Sequence, residues 1–305
     1  MIPEFPLFKK VDISDCGAIE NHTRHFPYYS DFNFTSLWCW DMEHEREVSE
    51  LNGNLVVKFT DYGGGDPFLS FLGIHKSTET TLALLNYAES IGLPPAMRLV
   101  PEISIHDLDL TNLQISPDFD NFDYVYLIEK MLKFNGNQYK SKRKALTHFT
   151  EAHPDHSFEV LNLANESSRE YVRTISESWR KLRGVSEDEE SLLHEITAIE
   201  NIFMLADVRE LFLGIVSINN KPVAYTIEEV VNKIFSIGHF WKIAIPVEGL
   251  YEFLAQQTAA YLDNKEVVYW NWEQDLGIET LRASKSSYRP SDFLKKFIVT
   301  RKLID

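Results

Sequence analysis

Apolar residues recur along this chain at two spacings, and the switches between them predict its elements. In the first half, Leu55–Phe59 and Phe68–Leu72 read as strands around the turn D-Y-G-G-G-D-P. Leu82, Leu85 and Ala88 give helical spacing over Thr80–Ile91, which stops at Gly92 with Pro94 beyond. Met97–Val100 and the β-branched, aromatic Asp123–Ile128 read as further strands. A polar, helix-like stretch around Cys16–His25 and an aromatic-rich stretch up to Trp40 precede them. After Gly136, the spacing of Tyr139, Leu146 and Phe149 predicts a basic helix over Gln138–Glu151, ended by Pro154.

The second half has a sharper pattern. Phe158–Leu161 is a short strand, and Tyr171, Val172, Ile175, Trp179 and Leu182 form one helical stripe. Leu192–Ile202 is a second helix. Three β-rich runs follow, L-F-L-G-I-V-S-I, P-V-A-Y-T-I-E-E-V and I-F-S-I-G-H-F, with short turns that make an antiparallel meander. Glu248–Leu262 is helical. Val267–Trp272 is apolar on both faces, as a buried central strand would be. Ile278–Ser287 is a short helix and Phe293–Val299 a last strand. With 305 residues, two domains are expected, divided as 1–153 and 154–305.

Composition narrows the class. Hydrophobic content of 44% and charged content of 25% exclude a disordered chain. The longest apolar runs, such as Leu211–Ile218, fall short of the roughly 20 residues of a membrane helix. The first residues lack the basic start and apolar stretch of a secretory signal. Cys16 and Cys39 are too few to staple the fold and form no C-x-x-C for zinc, so reduced thiols, a cytoplasmic location and no metal are expected. The sequons at Asn21, Asn33 and Asn165 then carry no weight.

A net charge of -16 disfavours nonspecific nucleic-acid binding, and no specific DNA binding is expected. Basic residues are nevertheless clustered. Lys130, Lys133, Lys140, Lys142, Arg143 and Lys144 form one group, and Arg282, Lys285, Arg289, Lys295, Lys296, Arg301 and Lys302 another. Each reads either as a solvated face or as an anion site, with charged tRNA a candidate partner.

Four blocks resemble bacterial proteins related to the C-terminal domain of phosphatidylglycerol lysyltransferase. They are Y-S-D-F-N-F-T-S-L-W from Tyr29, Y-K-S-K-R-K-A-L-T-H-F from Tyr139, G-H-F-W-K-I from Gly238, and N-W-E-Q-D-L-G-I-E-T-L-R-A-S-K-S-S-Y-R-P from Asn271. The family often has Glu where this chain has Trp241, and Arg where it has Trp272. The resemblance implies an α/β (α+β) fold of two tandem GNAT-like domains with mixed central sheets flanked by helices, and the element order of the second half is similar to that of GNAT acyltransferases. It also implies transfer of an aminoacyl group from aminoacyl-tRNA to an amine or hydroxyl acceptor, which a small or lipid-like molecule would supply. An acyl-CoA N-acyltransferase and a noncatalytic ligand- or peptide-binding module remain alternatives, because fold does not fix function.

Acyl transfer needs a base, oxyanion donors and an acid. In GNAT-like folds the donors are backbone N–H groups where the central strands splay, here near Gly238–Trp241. The stretch A-I-P-V-E-G-L-Y stands where acyl-CoA enzymes cradle pyrophosphate, and its Glu248 would repel that group. Catalytic candidates are Glu228, one of two successive strand carboxylates; His239, although a lone histidine in such a strand is more often a satisfied core residue than a catalyst; and Tyr288. Binding candidates are Lys142, Arg143, Lys242, Asn271, Arg282 and Lys285. Arg282 and Lys285 share a helix face. Asp275 reads as a cap of the helix beginning near Gly277. Gly63–Gly65 reads as a hairpin turn, since the G-K-[ST] of a phosphate loop is missing.

Overall fold

The computed structural model describes residues 1–60, 65–183 and 189–302. In chain order it contains β1 (Lys9–Lys10), α1 (Cys16–Thr23), α2 (Phe34–Cys39), β2 (Glu47–Leu51), β3 (Asn54–Phe59), β4 (Phe68–Leu72), α3 (Ser77–Ser90), β5 (Ala96–Pro101), α4 (Glu102–Ile105), β6 (Leu113–Pro117) and β7 (Asp123–Leu127). There follow α5 (Ile128–Lys133), α6 (Lys140–Ala152), β8 (His156–Leu161), α7 (Glu166–Arg183), α8 (Glu189–Met204), β9 (Leu211–Ile218), β10 (Lys221–Val230) and β11 (Phe235–Ile243). The last elements are α9 (Leu250–Asn264), β12 (Tyr269–Asn271), α10 (Glu279–Ser287), β13 (Asp292–Leu294) and β14 (Lys296–Arg301). The expected turn after Phe59 lies, in residues 61–64, outside the described residues, as does part of Gly63–Gly65.

The strands form two seven-stranded mixed sheets, ordered β1-β2-β3-β4-β5-β14-β6 and β13-β7-β12-β11-β10-β9-β8. Each has a parallel pair among antiparallel neighbours, β4/β5 in one and β11/β12 in the other. The meander β9-β10-β11 stands as expected, with α9 following it.

Two compact units divide the chain differently from the expected boundary at 153/154. One comprises Met1–Asp123, Gln274–Glu279 and Phe293–Asp305; the other comprises Tyr124–Glu273 and Thr280–Asp292. Two strands account for much of the difference, and helices α5 and α6 go with the first of them into the second unit. β7 follows the N-terminal elements but pairs with β12, and its Tyr124 and Tyr126 enter a core with Met131, Ala255, Ala259 and Trp270. β14 ends the chain but lies between β5 and β6, with Val299 among Val56, Leu69, Met97 and Val100. Apolar patterning marks a strand for burial but does not say which sheet it joins.

Local corrections have simple causes. The expected strand Val267–Trp272 narrows to β12 and is not buried on both faces throughout: Val268 and Tyr269 are exposed, whereas Trp270 and Asn271 are fully buried. The expected strand Phe293–Val299 breaks at Lys295 into β13 and β14. The aromatic segment before Trp40 is helical where Asn33 Oδ1 accepts from Ser36 N–H at 3.1 Å and caps α2.

The first unit is pinned by a buried ionic cluster. The Lys296 ammonium bridges the Asp31 and Asp123 carboxylates, 2.7 Å from Asp123 Oδ1, with all three side chains at zero exposure. The Ser30 hydroxyl donates to Asp123 Oδ1 at 2.6 Å and the Ser30 N–H to Oδ2 at 2.8 Å. Burial works against the Lys296 charge, but the two aspartates outweigh it and hold its pKa above the usual lysine range.

Candidate functional site

The second unit places its polar residues where β11 and β12 part. Their parallel pairing covers only Phe235, Ser236 and Ile237 against Tyr269, Trp270 and Asn271. On its other side β12 keeps its bonds to β7 for longer: Trp272 N–H donates to the Tyr124 carbonyl at 2.9 Å, and Tyr124 N–H to the Glu273 carbonyl at 3.1 Å. The opening therefore lies on the β11 side.

A bulge shapes that opening. Ile227 faces Phe240 and Glu228 faces Gly238, so His239 is an extra residue in β11. It separates two clusters, because Glu228 and Glu229 project to opposite faces of β10. Helices cover both faces, so both carboxylates are fully buried.

On one face Glu228 Oε1 accepts from Trp241 Nε1–H at 2.8 Å and from Thr226, and Oε2 accepts from Trp270 Nε1–H at 2.7 Å. Gly238 makes room for them, since a Cβ there would meet the Glu228 carboxyl oxygens at 3.0 and 3.1 Å. Burial pushes the Glu228 pKa up to about 8 despite these bonds, which leaves a neutral acid near pH 7. Trp241, Trp270 and Trp272 pack with ring centroids 5.0–5.4 Å apart. The Trp272 Nε1–H is buried with no acceptor among the described residues.

On the other face, the His239 ring lies between two carboxylates. Nε2 is 2.9 Å from Glu229 Oε2 and Nδ1 is 3.1 Å from Glu273 Oε1. Arg209 holds the far oxygen of Glu229, with Nε at 2.8 Å. Burial alone would lower the His239 pKa, but the bonds to Glu229 and Glu273 outweigh it and raise it to about 9. Burial likewise opposes the Glu229 charge, yet His239 and Arg209 hold its pKa at about 2. The result is an imidazolium between carboxylates, of which Glu229 is sealed and Glu273 keeps 16% of its side chain exposed. Asn271 Oδ1 accepts from Glu273 N–H at 2.7 Å and fixes the left-handed turn (φ 56°) that presents Glu273.

The remaining candidates are engaged in packing. Lys142 reaches Glu252 at 3.1 Å and lies 3.5 Å over the Tyr288 ring. Tyr288 is 3% exposed, with its hydroxyl 3.3 Å from Glu252 and its pKa raised by burial. Arg143 donates to the Phe134 and Gly136 carbonyls. Lys285 donates to the Trp272 carbonyl, and Arg282 is half-buried on α10. Lys242 pairs with Glu195 and lies 4.0 Å over the Trp179 ring. Asp275 Oδ1 accepts from Gly277 N–H at 2.9 Å, a local cap of that turn. The C-terminal basic group is dispersed as well: Lys296 is buried, Lys295 pairs with Glu102, and Arg301 bonds Asn86. Exposed lysines remain on α5 and α6 at Lys130, Lys133, Lys140 and Lys144.

The start of α9 is closely packed and acidic. Helix α6 packs onto it, so that a Cβ at Gly249 would clash with the Ala145 carbonyl and Phe149. Glu252 lies in the first turn, and Glu248 is 3.7 Å from His148 Nδ1. The N–H groups of such a terminus bind phosphate only if it can reach them.

The family model described as phosphatidylglycerol lysyltransferase, C-terminal, matches residues 24–300. The chain belongs to this family. Among solved structures it is similar to a conserved protein of unknown function from Bacteroides thetaiotaomicron, with 23% identity, a TM-score of 0.84, and coverage of 99% of this chain and 100% of that one. It is also similar to L-PGS from Bacillus licheniformis, with 12% identity, a TM-score of 0.62, and coverage of 100% and 95%. No curated protein matches it. The family and fold are those of acyltransferase-like proteins. Among the described residues no helix is long and apolar enough to cross a membrane, and no group of three His, Cys, Asp or Glu could hold a metal.

In this family member the chemistry-bearing residues that sequence reasoning missed are Glu273 and Arg209. Glu273 had a signal: it lies two positions after Asn271 in the fourth of the family-like blocks. Arg209 had none, since its role comes from a contact twenty residues along the chain.

Glu228 should make stability fall with pH. Its folded pKa of about 8 lies above the ordinary glutamate value of 4.5, so its contribution is complete below pH 4.5 and lost as pH rises through 8. The slope is about 1.4 kcal/mol per pH unit inside that window. His239 adds the same sign between 6.5 and about 9. Glu228→Gln should flatten the profile, and urea unfolding at pH 5.5 and 7.5 would reveal it. An unchanged difference between the two pH values would refute a neutral Glu228.

Proposed function

We propose that the chain is an acyltransferase that moves an aminoacyl group from aminoacyl-tRNA to an amine or hydroxyl acceptor. The observation that carries this choice of donor is the tight packing at the start of α9, where a Cβ at Gly249 would clash with the Ala145 carbonyl and Phe149 and where Glu252 adds negative charge to the first turn, both unfavourable to a pyrophosphate. Trp241 and Trp272, 5.0 Å apart, also crowd one face of the strand opening. An aminoacyl ester needs neither space. The exposed Lys130, Lys133, Lys140 and Lys144 offer contacts for tRNA phosphates in a chain of net charge -16.

In this reading Glu273 is the base. It takes the acceptor proton as the nucleophile attacks the ester carbonyl, and returns it to the departing ribose oxygen. Backbone N–H groups of β11 beyond Ile237 receive the oxyanion. His239, already protonated near pH 7, orients Glu273 and does not itself accept a proton. Glu228, on the opposite face with both oxygens bonded, and Tyr288, sealed against Glu252, support the walls.

Labelled amino acid should pass from a mixed pool of charged tRNA to an amine acceptor, with binding that weakens steeply with salt. Calorimetry with acetyl-CoA should show no heat. Binding of acetyl-CoA would favour the thioester reading, and ligand binding without turnover from either donor would favour a noncatalytic module.

A further inference from the structure

A cavity of about 250 Å³ lies between α7, α8 and β11, on the His239 face of the sheet. Its apolar walls are Trp179, Ile196 and Ile199. At its base the Lys242 ammonium, 7% exposed, bonds Glu195 and lies over the Trp179 ring. An ammonium has three N–H donors, and a carboxylate accepts through two oxygens. Lys242 and Glu195 therefore present a donor and an acceptor side by side. The other charges at the walls are also paired, Arg173 with Glu200 at 2.7 Å and Arg180 with Glu177 at 2.9 Å. Three cations and three carboxylates line the cavity, so its lining has no net charge.

We infer that this cavity binds a neutral amide: a peptide group whose N–H meets Glu195, whose carbonyl meets Lys242, and whose aliphatic or aromatic side chain lies against Trp179, Ile196 and Ile199. A phosphate head group or a charged side chain would lose water there and meet only cations and carboxylates that already have partners. Lys242 follows His239 by three residues, roughly 10 Å of strand. A peptide held at Lys242 can therefore extend toward Glu273. Its role as the acceptor rests on the acyl-transfer reading; its chemical class does not.

Calorimetry with N-acetyl-L-leucine methylamide and N-acetyl-L-tryptophan methylamide tests this directly. Both should bind at least ten times more tightly than the lysine and glutamate counterparts and than dihexanoyl phosphatidylglycerol. Ile196→Glu, at a position 42% exposed and so harmless to the fold, should weaken binding at least tenfold, as should Trp179→Ala. No binding, a preference for a charged probe or the lipid, or full affinity in Ile196→Glu would overturn the inference. Amide binding without transfer from charged tRNA keeps this site and discards the acyl-transfer reading. Transfer to a lipid without amide binding does the reverse.

Discussion

Glu273→Gln should slow aminoacyl transfer about 100- to 10,000-fold at pH 7, the usual contribution of a positioned proton acceptor. Glutamine keeps the shape of the side chain, and its amide oxygen can still accept from His239 Nδ1–H. The fold should persist while the basic oxygen is lost. Glu273→Asp keeps the charge but retracts it from His239 and should recover part of the rate. The His239 ring supplies an independent readout. Two carboxylates raise its pKa to about 9, so removing one must lower it. Ring proton shifts followed by NMR from pH 6 to 10 would show this whether or not transfer is measured. A full transfer rate in Glu273→Gln with a lowered His239 pKa would mean that Glu273 only positions the histidine.

Lys296→Met should cost about 3–5 kcal/mol of stability, the typical loss when one partner of a buried ion pair is removed. The ammonium separates Asp31 and Asp123, and all three side chains are fully buried. Its loss leaves two carboxylates facing each other, with Ser30 and Gln274 among the hydrogen-bonding groups beside them. Replacing the whole cluster at once, as Asp31→Asn, Asp123→Asn and Lys296→Met, should restore much of that loss, because the desolvation cost leaves with the charges. Urea unfolding of both variants makes the comparison. A loss under 1 kcal/mol in Lys296→Met would show that the cluster is hydrated in solution. The single variant should also loosen β14 from β5 and β6, since Lys296 opens that strand.

The Lys296 cluster also shows how a resemblance and a structure inform each other. Block residues Ser30 and Asp31 carry the family likeness near the N-terminus, and the structure gives them a structural task with a lysine from the other end of the chain. Lys142, Arg143 and Lys285 were legible as basic residues in specific blocks, and they bond Glu252 and main-chain carbonyls. Spacing reveals charge, but only packing reveals whether that charge is spent on the protein itself. Asp275 is an intermediate case. A local bond was legible in the sequence, but Asp275 Oδ1 accepts from Gly277 N–H in the turn that precedes α10, which begins only at Glu279.

The sequence by itself determined the mixed α/β class, the meander of β9, β10 and β11, the helical stripes of α7 and α9, and the family. These follow from side-chain periods and short-range turns, which are local. It also pointed to the opening near Gly238. Only the tertiary structure decided that β7 and β14 join sheets away from their chain neighbours, that α6 covers the start of α9, and that Glu229, His239 and Glu273 form one hydrogen-bonded row. The physical reason is the same in each case. A strand pattern states that a face must be buried, and a carboxylate states that it needs a donor. Which sheet and which donor satisfy them depends on residues far away in the chain.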